Sequence, residues 1–539
     1  MICDLRSAAE TELVADICVI GAGAAGIALA REFLHTSYSV ILLDTGGLTF
    51  DQEAHSLGAG ESVGVPFSGL QLGRYRGFGG TTRTWGGQCV MMDDTDFAAR
   101  TWVPDSGWPI GLAEMEPYYR RAEVVLNVQG QAYDEKIWRR FRLTVPEFDR
   151  AEIVPRFTVY SPHPDFGSVY LRALREAPNV NICLYAHALR LQSSEGRRLT
   201  SGLVVGVVGA TKVCRVRARV YVICCGGIES ARLLLLSDQP HSDGLGNEHG
   251  NVGRYYQDHP NGYVGTVETR DARFLQDRFG LLYRGRVRYF PKLRLAAAKQ
   301  RHDGVLNAVA HLVFEYDDKA SLALRAFAHA VRHRRMPERF VQRLRDIIMG
   351  APHSAEILIR RYGLGRSPAL VPRRIHLQAH TEQAPNRDSR ISLGDARDAF
   401  GQRCVRVDWR LGDLERRTFD TVAKTTAAEF SRLRLGTVRL KQWMDGSTAA
   451  WMANVSDAYH HIGATRMSHH PKDGVVDPNL RVHSLDNLYI CSSSVFPTSG
   501  YANPTLTIVA LALRLADTLK SRLTMMEQPG ATGTGSTAG

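Results

Sequence analysis

The first strong pattern along the chain is a short apolar run at residues 14–20, Val-Ala-Asp-Ile-Cys-Val-Ile, which reads as a buried strand. The turn Gly21-Ala22-Gly23-Ala24-Ala25-Gly26 follows at once. Residues 24–34 then read as a helix, and residues 38–43 as a second strand closed by Asp44. Together they predict a β-α-β unit. A second strand–turn–helix is predicted at 220–225, Gly226-Gly227 and 228–236. A last strand is predicted at 487–491 and a last helix at about 504–523. Residues 58–90 form a glycine-rich loop. So many glycines imply positive φ angles or backbone passing close to another group. The texture changes between about 264 and 450, where alternating strands surround an arginine-rich helical segment. This predicts a discontinuous dinucleotide-binding domain from 1–263 and 451–525, with a second domain, 264–450, inserted into it. The Gly/Thr/Ser-rich end, 526–539, is predicted to be disordered.

Composition narrows the picture. The 539 residues are 44% hydrophobic and 23% charged, the balance of a globular chain rather than a disordered one. No apolar run approaches the length of a membrane-spanning helix, so no integral membrane segment is expected. The opening residues lack the basic-then-apolar order of a secretory signal. The nine cysteines are an odd number and include no Cys-x-x-Cys pair, and Cys18, Cys183, Cys224, Cys225 and Cys491 sit in or beside apolar strand-like runs. Buried free thiols in a reducing, cytoplasmic setting are expected, with neither a disulfide framework nor a metal site. The net charge is +12, supplied mostly by arginine and densest from Arg325 to Arg345. It reads as a solvated surface. No nucleic-acid-binding pattern accompanies it, so no nucleic-acid partner is expected.

The glycine spacing has a mechanical meaning. Gly21 permits the tight turn, Gly23 lets a pyrophosphate approach the backbone, and Gly26 lets helix and strand pack closely. The helix amino terminus offers unpaired N–H groups to phosphate. Asp44 stands where an acid accepts hydrogen bonds from ribose hydroxyls. The triplet alone leaves NAD and FAD open.

Several further segments bear on that choice. They are Arg76 to Cys89, Val220 to Ser237, Val252-Gly253-Arg254-Tyr255-Tyr256-Gln257-Asp258-His259-Pro260, His460 to Met467, and Pro497 to Thr507. In this order they resemble the glucose–methanol–choline oxidoreductases over roughly residues 14–523. The resemblance lies nearest to the pyranose oxidase and bacterial sugar dehydrogenase branches. It implies an α/β fold: a Rossmann-like FAD-binding domain with an inserted α+β substrate-binding domain built on an antiparallel sheet. It implies FAD held by Gly21, Gly23, Ala24, Ala25, Gly26 and Asp44 at the adenosine end. Arg76, Gly80, Thr81, Thr82, Trp85, Gly86, Gly87 and Gln88 of the glycine loop join them, as do Ala188 and Gly226. Ser493, Ser494, Asn503, Pro504 and Thr505 complete the expected set. Some relatives attach flavin through a histidine where this chain has Thr84, so FAD is expected to be non-covalent. Many carry Asp-Gly where this chain has Ser492-Ser493-Ser494.

The same resemblance implies chemistry. Alcohol oxidation by flavin needs a base for the hydroxyl proton, and histidine titrates near working pH. It also needs a fixed donor for the developing alkoxide, which an asparagine amide provides. His460 and Asn503 match the family's two active-site positions, with His461 as the rival histidine. The expected activity is FAD-dependent oxidation of a sugar, glycoside or polyol hydroxyl. The alternatives are lyase or decarboxylase chemistry on the same fold, or a cyclitol- or steroid-type alcohol oxidase. The electron acceptor is oxygen, a quinone or another carrier, and the sequence is silent on oligomeric state. Asp258-His259 reads as structural or as part of a substrate-loop wall, and His469-His470 as a surface turn. Gln383 is left without a role. Trp85, Trp409 and Trp443 are either core or sugar-stacking residues.

Overall fold

A computed structural model describes the chain from Met1 to Glu527, apart from residue 71, 194–197, 240–241, most of 317–338, 350 and 368–371. Of the arginine-rich stretch 325–345, most of 325–338 lies outside the described residues, as does the tail from 528 onward. Residues 526–527 belong to the last helix.

The first sheet runs in the order Ile2–Asp4, Val180–Leu184, Val40–Leu43, Glu12–Ile20, Val213–Ile223, Thr200–Val207, Ala186–Ser193. Its centre is parallel: Glu12–Ile20 pairs with Val40–Leu43 on one side and Val213–Ile223 on the other. Strand Val213–Ile223 is longer than the 220–225 run predicted. Its first half pairs antiparallel with Thr200–Val207, and its end pairs parallel with Leu488–Ile490. Ile17 to Ile20 and Val40 to Leu43 are buried, as expected of parallel strands covered on both faces. Helix Ala24–Arg31 crosses between them and packs on helix Thr505–Glu527. The two ends of the chain therefore meet in one α/β layer.

The second sheet is antiparallel, in the order Thr437–Leu440, Asn261–Glu268, Arg374–Thr381, Ala308–Glu315, Val287–Leu295, Ile153–Tyr160, Gln88–Cys89. It draws on 88–89 and 153–160 as well as on residues after 260. Successive residues alternate between its faces. Leu293, Leu295, Ala308, Ala310, Leu312, Leu377 and Ala379 are buried on the back, against which helix Asp413–Arg432 packs. The front carries Lys292, Arg294, His311, Gln378 and His380. A small third sheet joins Arg390–Arg397, Arg403–Trp409 and Gly60–Gly64. The glycine-rich loop 58–90 is thus not all loop: it contributes a strand, the 3₁₀ turn Gly80–Arg83 and the edge pair Gln88–Cys89. No helix among the described residues is long and apolar enough to cross a membrane.

Candidate active site

A cleft with about 1590 Å³ of atom-free space, part of it open to solvent, opens at the carboxyl ends of the parallel strands. Backbone geometry shapes its floor. Gly21 has φ +106°, and a Cβ there would meet the Cys224 carbonyl at 2.6 Å. A Cβ on Gly26 would lie 1.9 Å from the Gly21 carbonyl oxygen. Gly26 therefore serves helix–strand contact and does not line the cleft. Gly21, Gly23, Ala24 and Ala25 do line it. Asp44 also lines it, accepting from the backbone N–H groups of Ala22 and Gly46, both at 3.0 Å. Those two bonds leave further lone pairs on its carboxylate.

Arg76, Gly80, Thr81, Thr82, Trp85, Ala188, Gly226, Ser493, Asn503, Pro504 and Thr505 share the same wall. Four of the expected cofactor residues besides Gly26 do not. Gly87, at φ +81°, turns the chain against Pro164, and the Gly86 carbonyl accepts from Arg288. Gln88 enters the antiparallel sheet opposite Tyr160. Ser494 is fully buried, bonded to Thr465 and Ser492 at 2.6 and 2.7 Å. The three serines form a local hydroxyl network, and Ser493 donates to the His461 carbonyl at 2.5 Å.

The donor set fits a dinucleotide. Gly226, at φ +77°, opens helix Gly226–Leu236 with free space where a side chain would stand. The buried His187 Nε2 on the cleft wall has no partner among the described residues. Glu229 on the same wall is held by Arg74 at 2.6 Å, Arg76 at 2.9 Å and Arg232 at 3.4 Å. Burial opposes its charge, but the three arginines prevail and hold its carboxyl well below the usual range. Arg74, Glu229, Arg232 and His187 were absent from the sequence reading. Their partners lie up to 175 residues apart, and no local motif marks them.

At one end of the cleft stand His460 and Asn503. Residues 257 and 462 exchange backbone hydrogen bonds, each 2.9 Å, which sets the Asp258-His259 segment beside His460. The turn is tight. Tyr459 and Ala464 hold φ angles of 61° and 75°, values rare outside glycine and concentrated at functional sites. Gly463 is required there, since a Cβ would meet the Tyr255 carbonyl at 2.0 Å. Asp258 accepts from the backbone N–H groups of His259, Ala458 and His460 at 2.7–3.1 Å. Its own N–H donates to Gln383 Oε1, which also accepts from Trp409 Nε1. Gln383 and the fully buried Trp409 thus brace the loop from behind. Asp258 is a clamp.

The hydrogen bonds fix the tautomers. His259 Nε2 lies 3.3 Å from the Ser499 carbonyl, so that nitrogen carries the proton. Burial lowers the His259 pKa to about 4, which keeps the ring neutral and leaves Nδ1 as an acceptor. His460 Nδ1, 2.8 Å away, must then donate. His460 Nε2 is left with a lone pair, facing Asn503 Nδ2 at 3.1 Å. Burial, followed by the nearby His259, Lys292 and His461, lowers the His460 pKa well below the ordinary imidazole value. The ring is deeply set yet partly accessible. Its neighbour His461 also borders the cleft, but its ring packs edge-on against Phe67 with centroids 5.5 Å apart. A Cβ on Gly227 would strike the His461 carbonyl at 2.2 Å, so this residue is wedged between elements. His469 and His470 are exposed.

His380, on the front of the antiparallel sheet, completes the local group. Its ring centroid is 4.8 Å from that of His259 and 5.8 Å from that of His460. The front of the second sheet therefore faces the His460–Asn503 pair across the end of the cleft.

Comparison with known proteins bears on the family and the fold. Residues 165–261 and 385–512 each match a family model described as GMC oxidoreductase. The 6'''-hydroxyparomomycin C oxidase of Streptomyces lividus is 26% identical, over 94% of this chain and 92% of the relative. The fructose dehydrogenase large subunit of Gluconobacter japonicus is 24% identical, over 95% and 98%. Among solved structures, pyridoxine 4-oxidase from Mesorbium loti superposes with a TM-score of 0.57 at 16% identity, covering 94% of this chain and 99% of that one. That likeness concerns the fold.

Proposed function

Because this chain belongs to the GMC oxidoreductase family, whose members are FAD-dependent enzymes acting on CH–OH groups, we propose that it oxidises a sugar, glycoside or polyol hydroxyl with His460 as base. The observation that carries the reading is the unprotonated Nε2 of His460 beside the Asn503 amide, 3.1 Å apart at one end of the dinucleotide cleft. The names of the full-length relatives, an aminoglycoside oxidase and a fructose dehydrogenase, support a polyhydroxylated substrate.

FAD, when bound, supplies the two-electron acceptor that takes hydride from the carbinol carbon. The glycine turn 21–26 and Asp44 would hold its adenosine and pyrophosphate, and Thr81, Thr82, Trp85 and the 503–505 turn its ring. The substrate hydroxyl enters between His460 Nε2 and Asn503 Nδ2 and replaces their direct contact. His460 Nε2 takes the hydroxyl proton while its Nδ1–H stays on His259. The Asn503 amide N–H holds the oxygen as negative charge develops there. The amino terminus of helix Thr505–Glu527 directs its positive end toward this corner of the cleft. The carbonyl product forms as C–H and O–H are both broken.

Anaerobic mixing of the holoenzyme with sugars, glycosides, polyols and aromatic alcohols tests the reading. Bleaching of the flavin by a polyhydroxylated member is expected, and a flavin that no alcohol reduces discards it. Readmitting air or a quinone dye then identifies the acceptor class. We assign non-covalent FAD on the strength of Thr84, which is exposed and hydrogen-bonds the Thr81 carbonyl. Acid precipitation should leave the supernatant yellow and the pellet colourless. The nine free cysteines, seven of them buried, support a reducing, cytoplasmic setting.

A further inference from the structure

The front of the antiparallel sheet carries a charge that the proposed chemistry does not use. Strand Ile153–Tyr160 sets Arg156 opposite Lys292. The pairing of Leu293 with Ala310 and Arg294 with Val309 continues to place Lys292 opposite His311. His311 in turn pairs with Gln378, and Gln378 with Tyr263. Directly opposed residues share a face, so Arg156, Lys292, His311, Gln378 and Tyr263 form one cross-strand row. The adjacent row holds Arg294 and His380, and His380 touches the His259–His460 pair.

The acids of this region are already taken. Asp93 receives both Arg156 and Arg294, at 3.1 and 2.6 Å. Glu382 is paired with Arg100, and Asp96 holds the Asn307 amide at 2.7 Å. Glu315, at the far end of its strand, is paired with His376. Lys292 is only 5% exposed, and no carboxylate among the described residues lies within ion-pairing distance of it. Around it the buried polar atoms Thr158 Oγ1, His311 Nδ1 and His380 Nε2 have no hydrogen-bond partner among the described residues. An isolated buried ammonium is costly, because the charge has lost water without gaining a counter-ion. A site that keeps one beside the unpartnered Thr158 hydroxyl is complementary to an anion.

We propose that the front of this sheet, centred on Lys292, is a subsite for an anionic group on the substrate, which makes the substrate a sugar or polyol carrying a carboxylate or phosphate. The inference rests on the alcohol-oxidase reading above and narrows its substrate class. Lys292 supplies the charge and the Thr158 hydroxyl a neighbouring donor, whereas His311 donates through Nε2 to Gln378 and its Nδ1 carries a lone pair. The anionic end of the substrate lies on the sheet and its carbinol at His460. A cationic amino sugar would meet like charge at the same place.

The test uses the holoenzyme and four sugars that differ mainly in charge: D-glucose, D-glucuronate, D-glucose 6-phosphate and D-glucosamine. Binding is read from the change in the oxidised flavin spectrum on titration without air, and turnover from flavin bleaching. Glucuronate or glucose 6-phosphate should bind at least about tenfold more tightly than glucose, with glucosamine weakest. Whichever anion binds more tightly identifies carboxylate or phosphate as the natural group. In Lys292→Met the ratio of anion to glucose affinity should fall to near one, and in Lys292→Arg it should persist. A wild-type ratio near one, or a ratio that Lys292→Met leaves intact, overturns the proposal. A Lys292-dependent ratio with no bleaching by any sugar would sink the oxidase reading and leave the anion subsite standing. Bleaching by sugars with no charge preference would do the reverse.

Discussion

The two large sheets solve different problems with opposite patterns. The parallel sheet is apolar on both faces, and its chemistry lies beyond its strand ends, in turns where backbone is the functional group. The antiparallel sheet is apolar only on its back, where helix Asp413–Arg432 packs, and its chemistry lies on its front, in side chains from several strands. In the first sheet a site depends on the absence of side chains at Gly21, Gly23 and Gly26. In the second it depends on which side chains the register brings together. The first should therefore be broken by a single methyl group, whereas the second should respond to a lost charge or hydrogen bond by a graded change.

The sharpest break is Gly26→Ala. The added methyl would sit 1.9 Å from a carbonyl oxygen of the preceding turn, and a packed strand–helix contact has no slack to absorb it. Complete loss of bound flavin is expected, read as the visible-to-ultraviolet absorbance ratio of the purified protein. A full flavin complement would show that the turn is not built as described. The corresponding change at the other side of the cleft, His460→Ala, should keep the flavin and slow its reduction by about 10²- to 10⁴-fold. Rapid anaerobic mixing measures this, and an unchanged rate removes His460 as the base. Asn503→Ala should cost about 10- to 100-fold, because one donor to the developing alkoxide is lost while the base remains.

The same difference explains what the sequence made legible. The turn at 21–26, the acid at 44 and the β-α-β unit around them are local, so spacing alone announces them. His460 and Asn503 are 43 residues apart, and only resemblance to a family linked them before the structure set them 3.1 Å apart. Lys292, His311 and His380 stood in the sequence as polar residues alternating with apolar ones, the signature of any sheet with one wet face. That their face meets the histidine pair depends on strand order and register, which no local pattern carries. Arg74, Glu229 and Arg232 escaped for the same reason. Gln383 and Trp409 illustrate it from the other side, since a side-chain pair behind the loop gives Asp258 its place. Gly86 and Gly87 were drawn into the cofactor set because the glycine loop reads as continuous, whereas the chain leaves the cleft after Trp85 to enter the second sheet.

His259 tests the graded side of the comparison. It touches no substrate in the proposed chemistry. It positions His460 by accepting its Nδ1 proton, and so determines which nitrogen is free. His259→Leu should slow flavin reduction by about 10- to 100-fold through loss of the productive tautomer. A merely structural role would leave the pH dependence alone. Here the acid limb of the reduction rate should shift, because His259 is among the groups that set the His460 pKa. An unmoved limb with a lowered rate would reduce His259 to a packing residue.

Lys292 gives the smallest effect and the one of opposite sign. Burial lowers its pKa from 10.5 to about 8, so between those values the unfolded chain binds a proton that the folded chain has released. The fold therefore becomes more stable as pH rises from about 8 toward 10.5. Below about pH 8 the full cost of the buried ammonium is present. Lys292→Met should remove that cost and raise stability at pH 7 by about 1 to 2 kcal/mol, after allowing for water in the chamber the side chain faces. The gain should shrink to nothing near pH 10.5. Urea midpoints of the ligand-free holoenzyme at the two pH values measure it, and an anionic sugar should restore the wild type toward the variant. A variant less stable than wild type at pH 7 would mean that the ammonium has a partner within the fold, and the front of the sheet would then have no uncompensated charge to offer a substrate.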